Sequence, residues 1–134
     1  MMKSEGPIVT GSPGYEQQLD ARIMSMNVKS FPNANLIMGN YNQGILIVEG
    51  SSARIYSNKL DKNIKANIAL GGKNCGYTQI KYNLIENSKS EGIFVVEGEE
   101  KLLVEQNFIV GNHDGIVLVS SLGIVRNNQI KENQ

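Results

Sequence analysis

From residue 35 onward, short apolar runs alternate with polar turns at a nearly constant interval. The recurring phrase is Asn, any residue, an aliphatic, two further residues, then Asn or Ser. It reads Asn35-Leu36-Ile37-Met38-Gly39-Asn40 first and Asn58-Lys59-Leu60-Asp61-Lys62-Asn63 next. Asn83 to Ser88, Asn107 to Asn112 and Asn128 to Asn133 repeat it. The leading asparagines are 23, 25, 24 and 21 residues apart. A few residues after each of the first four phrases comes an alternating run: Gly44 to Val48, Asn67 to Leu70, Gly92 to Val96 and Gly115 to Val119. Another aliphatic (Ile55, Ile80, Val104, Val125) lies three residues before each leading asparagine from Asn58 on. β-Branched residues dominate, Gly, Asn, Ser and Asp bound the pieces, and no piece has helical periodicity.

Three short strands per repeat predict an all-β fold, a right-handed single-stranded parallel β-helix (solenoid) of about five coils. Coils would pair at the ordinary strand spacing of about 4.8 Å, stacking equivalent positions into columns. The expected inward columns are Ile45, Ile68, Ile93, Ile116; Ile47, Leu70, Val95, Leu118; Ile37, Leu60, Ile85, Ile109, Ile130; and Ile55, Ile80, Val104, Val125. One coil buries too few aliphatics to offset the entropy of ordering its backbone, so neighbours must stabilise one another. Residues 35–134 are the repeats. Residues 1–34 lack the phrase and read as an N-terminal cap or insert. Within it, Gly6 to Thr10 suits a strand of an irregular first coil. Tyr15 to Val28 suits a short helix with Leu19, Ile23 and Met26 on one face. Nothing after Asn133 resembles a cap, so a longer β-helix or another cover is expected at that end.

The asparagines read as structural. An amide carries both donor and acceptor, so stacked amides can bond to one another and to turn backbone. Asn35, Asn58, Asn83, Asn107 and Asn128 form one expected ladder. Asn40, Asn63, Ser88, Asn112 and Asn133 form the other, with a shorter polar group at Ser88.

Composition narrows the function classes. With 40% hydrophobic residues the chain can form a core, which excludes wholesale disorder. Thirteen basic and thirteen acidic side chains cancel, leaving no field to attract nucleic acid or an anionic membrane, and neither partner is expected. One cysteine, Cys75, and one histidine, His113, exclude a disulfide framework and weaken any metal site; no metal and no cofactor is expected. The first residues lack the apolar core of a leader, roughly 7–15 residues, and no run approaches the ~18 residues of a membrane span. There is no Asn-X-Ser/Thr site. A cytoplasmic location is expected.

Groups able to do chemistry are few. The three aspartates, Asp20, Asp61 and Asp114, are scattered. Asp61 and Glu86 share a column and are the best paired-carboxylate candidate, although beside Lys59 and Lys62 they read as solvated turn acids. Lys81, Glu105 and Arg126 share another column and read as an alternating charge ladder. His113-Asp114 would be half of a base relay, without an evident nucleophile. Cys75 reads as a turn or core residue. Gly71-Gly72-Lys73-Asn74 lacks the strand–loop–helix setting of a phosphate loop. No catalytic residue is assigned.

The outward positions of the alternating run ought to be polar. They are instead Leu46, Val48, Ala69, Phe94, Val96, Val117 and Val119, which would stack into an apolar strip. Either the N-terminal segment folds back over the strip with Ile23, Met24 and Met26, or Leu46, Val48, Phe94, Val96, Val117 and Val119 dock another protein or another copy of the chain.

Coils of the form Asn-X-Ile-X-X-Asn…Gly-Ile-X-Val resemble the pectate-lyase-like parallel β-helix repeats. They are most similar to the version found in carbohydrate-binding proteins and sugar hydrolases, in F-box-only ubiquitin-ligase receptors and in some spindle and ciliary proteins. The resemblance covers residues 35–134 and rests on core and ladder positions, so it implies the fold and only loosely a function. Enzymes of that group use clustered acids, which this chain lacks. A non-enzymatic scaffold or protein-recognition module, cytoplasmic or attached to cytoskeletal or ciliary structures, is therefore the expected function. The alternative that the resemblance implies is a glycan-binding or polysaccharide-cleaving domain, with Tyr41, Tyr56, Tyr77 and Tyr82 available to stack on sugars.

Overall fold

The computed structural model describes residues 8–10 and 35–134. The first coil runs through β1 (Ile8–Thr10), β2 (Asn35–Met38) and β3 (Ile45–Ile47). The second comprises β4 (Arg54–Tyr56), β5 (Asn58–Asp61) and β6 (Ile68–Gly71). The third comprises β7 (Gln79–Lys81), β8 (Leu84–Glu86) and β9 (Glu91–Val96), and the fourth β10 (Leu103–Glu105), β11 (Phe108–Val110) and β12 (Asp114–Val119). Strands β13 (Ile124–Arg126) and β14 (Gln129–Lys131) begin a fifth.

Each strand pairs in parallel with its counterparts one coil away. This builds sheet A (β1-β4-β7-β10-β13), sheet B (β2-β5-β8-β11-β14) and sheet C (β3-β6-β9-β12). The molecule is an all-β parallel solenoid of about four turns; of the fifth expected coil, two strands are present. Among the described residues there is no helix, and the helix expected over residues 15–28 lies outside them. Strand β1 pairs with β4, so Ile8–Thr10 form the first strand of sheet A.

The inward columns follow the repeat. Ile55, Ile80, Val104 and Val125 stand in register on sheet A. Ile37, Leu60, Ile85, Ile109 and Ile130 do so on sheet B. Ile45, Ile68, Ile93 and Ile116, with Ile47, Leu70, Val95 and Leu118, do so on sheet C. Their middle members, with Cys75, are the buried core. A one-residue slip would turn a whole column outward, and this pins the register.

Both corners bounding sheet B use one device. The residue after the strand is left-handed, and an asparagine or Ser88 follows it. Between sheets A and B the left-handed residues are Ser57, Tyr82, Gln106 and Asn127, with φ of 55–61°. Between sheets B and C they are Gly39, Lys62, Asn87, Gly111 and Glu132, with φ of 56–71°. The conformation costs a side-chain-bearing residue about 1–2 kcal/mol, and the amide that follows offsets this by tying the corner to both neighbouring coils.

The first ladder is unbroken. Nδ2 of Asn35 donates to Oδ1 of Asn58 at 2.9 Å, Asn58 to Asn83 at 3.2 Å, Asn83 to Asn107 at 3.0 Å and Asn107 to Asn128 at 2.9 Å. Backbone N–H groups of Asn58, Asn83 and Asn107 donate to the same acceptors.

The second ladder takes a detour. Asn40 donates to Asn63 at 2.9 Å and Asn112 to Asn133 at 3.1 Å. Ser88, between them, has no amide, and Asn67 bridges the gap. It accepts from Asn63 Nδ2 at 2.6 Å and donates to Asn112 Oδ1 at 3.0 Å. Asn67 occupies the position of Gly44, Gly92 and Gly115 on the other coils, one residue before the paired isoleucines. A Cβ on Gly92 would lie 3.0 Å from Asn112 Nδ2, and one on Gly44 2.8 Å from Asn63 Nδ2. The next coil's backbone carbonyl, 2.6–2.8 Å from such a Cβ, and its ladder amide together demand glycine there, whereas the corner facing Ser88 accommodates Asn67.

Candidate functional site

Strands of sheet C alternate inward and outward side chains, so their outward residues form rows across the coils. One row is Leu46, Ala69, Phe94 and Val117. The second contains Gly71, Val96 and Val119, with Val48 beside Gly71 because Val48 follows Ile47, the partner of Leu70. Leu46 and Val48 are 53% and 52% exposed, and Val119 is exposed as well. Phe94, Val96 and Val117 are half-buried. The six apolar residues singled out from the sequence thus stand together on one face.

Ala69 departs from the expected strip. It is only 4% exposed, because its small side chain lies between Leu46 and Phe94. With Gly71 beside it, the second coil forms a depression across the strip, which strand alternation alone does not reveal. The signal was present in the sequence, since Ala69 and Gly71 are the smallest members of their rows. The expected cover, Ile23, Met24 and Met26, lies outside the described residues.

Sheet B offers a contrast. Leu84 and Phe108 also alternate outward, yet both are fully buried. The Lys131 ammonium lies 5.4 Å from the Phe108 ring centre. In the same row Leu36, on the first coil, is exposed, so sheet B covers its outward apolar side chains only on the middle coils.

The charged candidates are stacked as well. Tyr56, Lys81, Glu105 and Arg126 are in register on the outer face of sheet A. Arg126 Nε donates to Glu105 Oε1 at 2.7 Å, Lys81 Nζ lies 3.3 Å from Glu105 Oε2, and Lys81 stands 5.8 Å over the Tyr56 ring. The Arg126 hydrogen bond, aided by Lys81 and opposed by burial, holds the Glu105 carboxyl below the ordinary carboxylate range. All three ions are consumed by one another, so this column is an electrostatic strut and not a free acid or base.

Asp61 and Glu86 pair in register on sheet B. Contrary to the expected solvated acids, Asp61 is buried and accepts from Asn87 Nδ2 at 3.0 Å. Burial, with Asp61 adding to it and Lys59 and Lys62 opposing, pushes the Glu86 carboxyl upward. His113 Nδ1 lies 3.3 Å from Asp114 Oδ2 in an exposed turn. Cys75 is buried in the core, its thiol 3.2 Å from the Val48 carbonyl. Among the described residues no group of three or more His, Cys, Asp or Glu is placed to hold a metal. Among the described residues no helix is long and apolar enough to cross a membrane.

One small cavity, of about 190 Å³, lies in the loops between sheets C and A, lined by Gly76, Tyr77, Glu99, Glu100 and Lys101. Lys101 stands 5.2 Å over the Tyr77 ring. Tyr41, Tyr56 and Tyr82 do not line it.

No curated protein and no solved structure is significantly similar to the chain. The family model described as the right-handed beta helix region matches residues 17–134, consistent with the resemblance to pectate-lyase-like repeats. With most of its length matched and its strands wound as a parallel solenoid, the chain belongs to the right-handed β-helix family.

Proposed function

We propose that the chain is a non-enzymatic protein-recognition module whose binding face is the outer surface of sheet C. The observation that carries this is the apolar strip of sheet C, in which Leu46, Val48 and Val119 are exposed and Phe94, Val96 and Val117 half-buried. Soluble proteins seldom leave such a strip bare, and burying it against another protein is favourable by about 25 cal/mol per Å² before the costs of association. The rigid solenoid supports the role, since a docking face needs no moving parts. The module acts in the cytoplasm or on cytoskeletal or ciliary structures, within a larger assembly.

The test compares the proteins retained from extract by the tagged chain and by its Leu46→Glu and Phe94→Glu variants. Loss of one stoichiometric protein from both variants, at unchanged melting temperature, is the expected result. Equal retention by the variants would sink the proposal.

The Tyr77 cavity favours a second reading, glycan binding, because an exposed aromatic ring beside carboxylates and an ammonium suits a sugar. Binding on a glycan array that Tyr77→Ala removes would establish it.

A further inference from the structure

The outer face of sheet C is neither flat nor electrically neutral. Its second coil contributes only Ala69 and Gly71, and a Cβ built on Gly71 meets nothing within 4 Å. Val48 and Val96 flank Gly71 on the coils either side, about 9.6 Å apart at two strand spacings. This is a notch one side chain wide, open to solvent and walled by valines.

The two margins of the strip carry acids. Glu91 and Asp114 pair in register where β9 and β12 begin. Glu49 and Glu97 follow Val48 and Val96 at the opposite margin and are exposed. Against these four carboxylates stand three exposed ammonium groups, Lys65 and Lys89 at the margin of Glu91 and Asp114 and Lys73 at the margin of Glu49 and Glu97, so the net negative margin is that of Glu49 and Glu97. A second copy docked face to face with like margins opposed would bring Glu49 and Glu97 against their own counterparts, and like charges there oppose association.

We propose that the strip takes an amphipathic segment of a partner protein, with one bulky aliphatic or aromatic anchor seated over Gly71 and Lys or Arg on the flank that meets Glu49 and Glu97. This rests on the reading of sheet C as the binding face and adds the chemistry of the occupant. The apolar contact supplies affinity, and the acid margin of Glu49 and Glu97 supplies selection and steering.

The probes are three synthetic amphipathic peptides sharing one Leu/Phe face, with Lys/Arg, Ser/Gln or Glu/Asp flanks, titrated against the whole chain by fluorescence anisotropy. The basic peptide should bind about tenfold more tightly than the neutral one and lose that advantage at high salt. Gly71→Leu, which fills the notch in an unstrained strand position, should weaken it about tenfold. Reversing the margin with Glu49→Lys and Glu97→Lys should abolish the charge preference. Equal binding of the three peptides, or a Gly71→Leu variant that binds the basic peptide normally, would overturn the proposal. So would self-association that Gly71→Leu removes, since a second copy would then fill the notch. If Phe94→Glu abolishes binding of all three peptides and none is preferred, the face stands and this occupant is wrong. If Phe94→Glu leaves both peptide and extract binding intact, the reading of the face falls too.

Discussion

The two corners that bound sheet B are built alike and behave differently. Each places a left-handed residue after a strand and an amide after that residue. At the corner between sheets A and B all five rungs are asparagine, and the neighbouring column alternates in charge through Lys81, Glu105 and Arg126. At the corner between sheets B and C one rung is Ser88, Asn67 substitutes for its amide, and the neighbouring column stacks Asp61 on Glu86. A column tolerates an irregular member where an adjacent column changes to compensate. The repeat is therefore specified between coils as much as within them.

Breaking the regular corner should have the largest effect. Asn107 is buried, accepts from the Asn83 backbone and side chain, and donates to Ile80, Glu105 and Asn128. Asn107→Leu should destabilise by about 3–5 kcal/mol, because several buried groups lose their partner at once. Chemical denaturation measures this. Ser88→Ala, at the irregular corner, should cost about 1–2 kcal/mol, since it removes only the Oγ bonds with the Lys65 carbonyl and Ser90 N–H. Equal costs would show that the two corners share load evenly.

The compensation itself is testable by a double-mutant cycle. Asn67→Gly alone should destabilise by about 1–3 kcal/mol, as the ladder loses its bridge. Ser88→Asn alone should also destabilise, by crowding Asn67 where the other coils have glycine. The double variant restores the pattern of the other coils and should recover most of the loss, a coupling of about 1–3 kcal/mol. Additive effects would mean that Asn67 and Ser88 are independent.

How much of this was legible follows from what stacking dictates. The inward columns and first ladder could be read because every coil repeats the same environment at the same offset. Asn67 reads along its own coil as the opening residue of a strand; its exchange with Ser88 shows only when it is set beside Gly44, Gly92 and Gly115 on the other coils. Burial of outward residues was not legible. Alternation gives direction, whereas coverage depends on what lies outside the coil. Leu84 and Phe108 are buried and Leu46 and Val119 open, though all four alternate outward. Asp61 is buried for a similarly local reason, with the Asn87 amide bonded to its carboxylate.

The charged columns sharpen the same comparison at the smallest scale, and their pH dependence runs in opposite directions. Glu105 is held below the ordinary value, about 4.3 for an unfolded glutamate, so it stabilises the fold above that pH and loses the contribution as pH falls through its folded value. Glu86 is raised, so its favourable contribution is complete below the unfolded value and is lost as pH rises through the folded one. Glu105→Gln should cost about 0.2–1 kcal/mol per lost ion pair at neutral pH and little in acid. Glu86→Gln should do the reverse, raising stability slightly at neutral pH by removing a carboxylate from a partly desolvated place beside Asp61. Denaturation series across acid to neutral pH should thus change slope in opposite senses for the two variants. A shared slope change would mean that both carboxyls are solvent-screened and the corners electrostatically equivalent. Opposite changes would establish that the regular corner is stabilised by its charges and the irregular one is stable in spite of them.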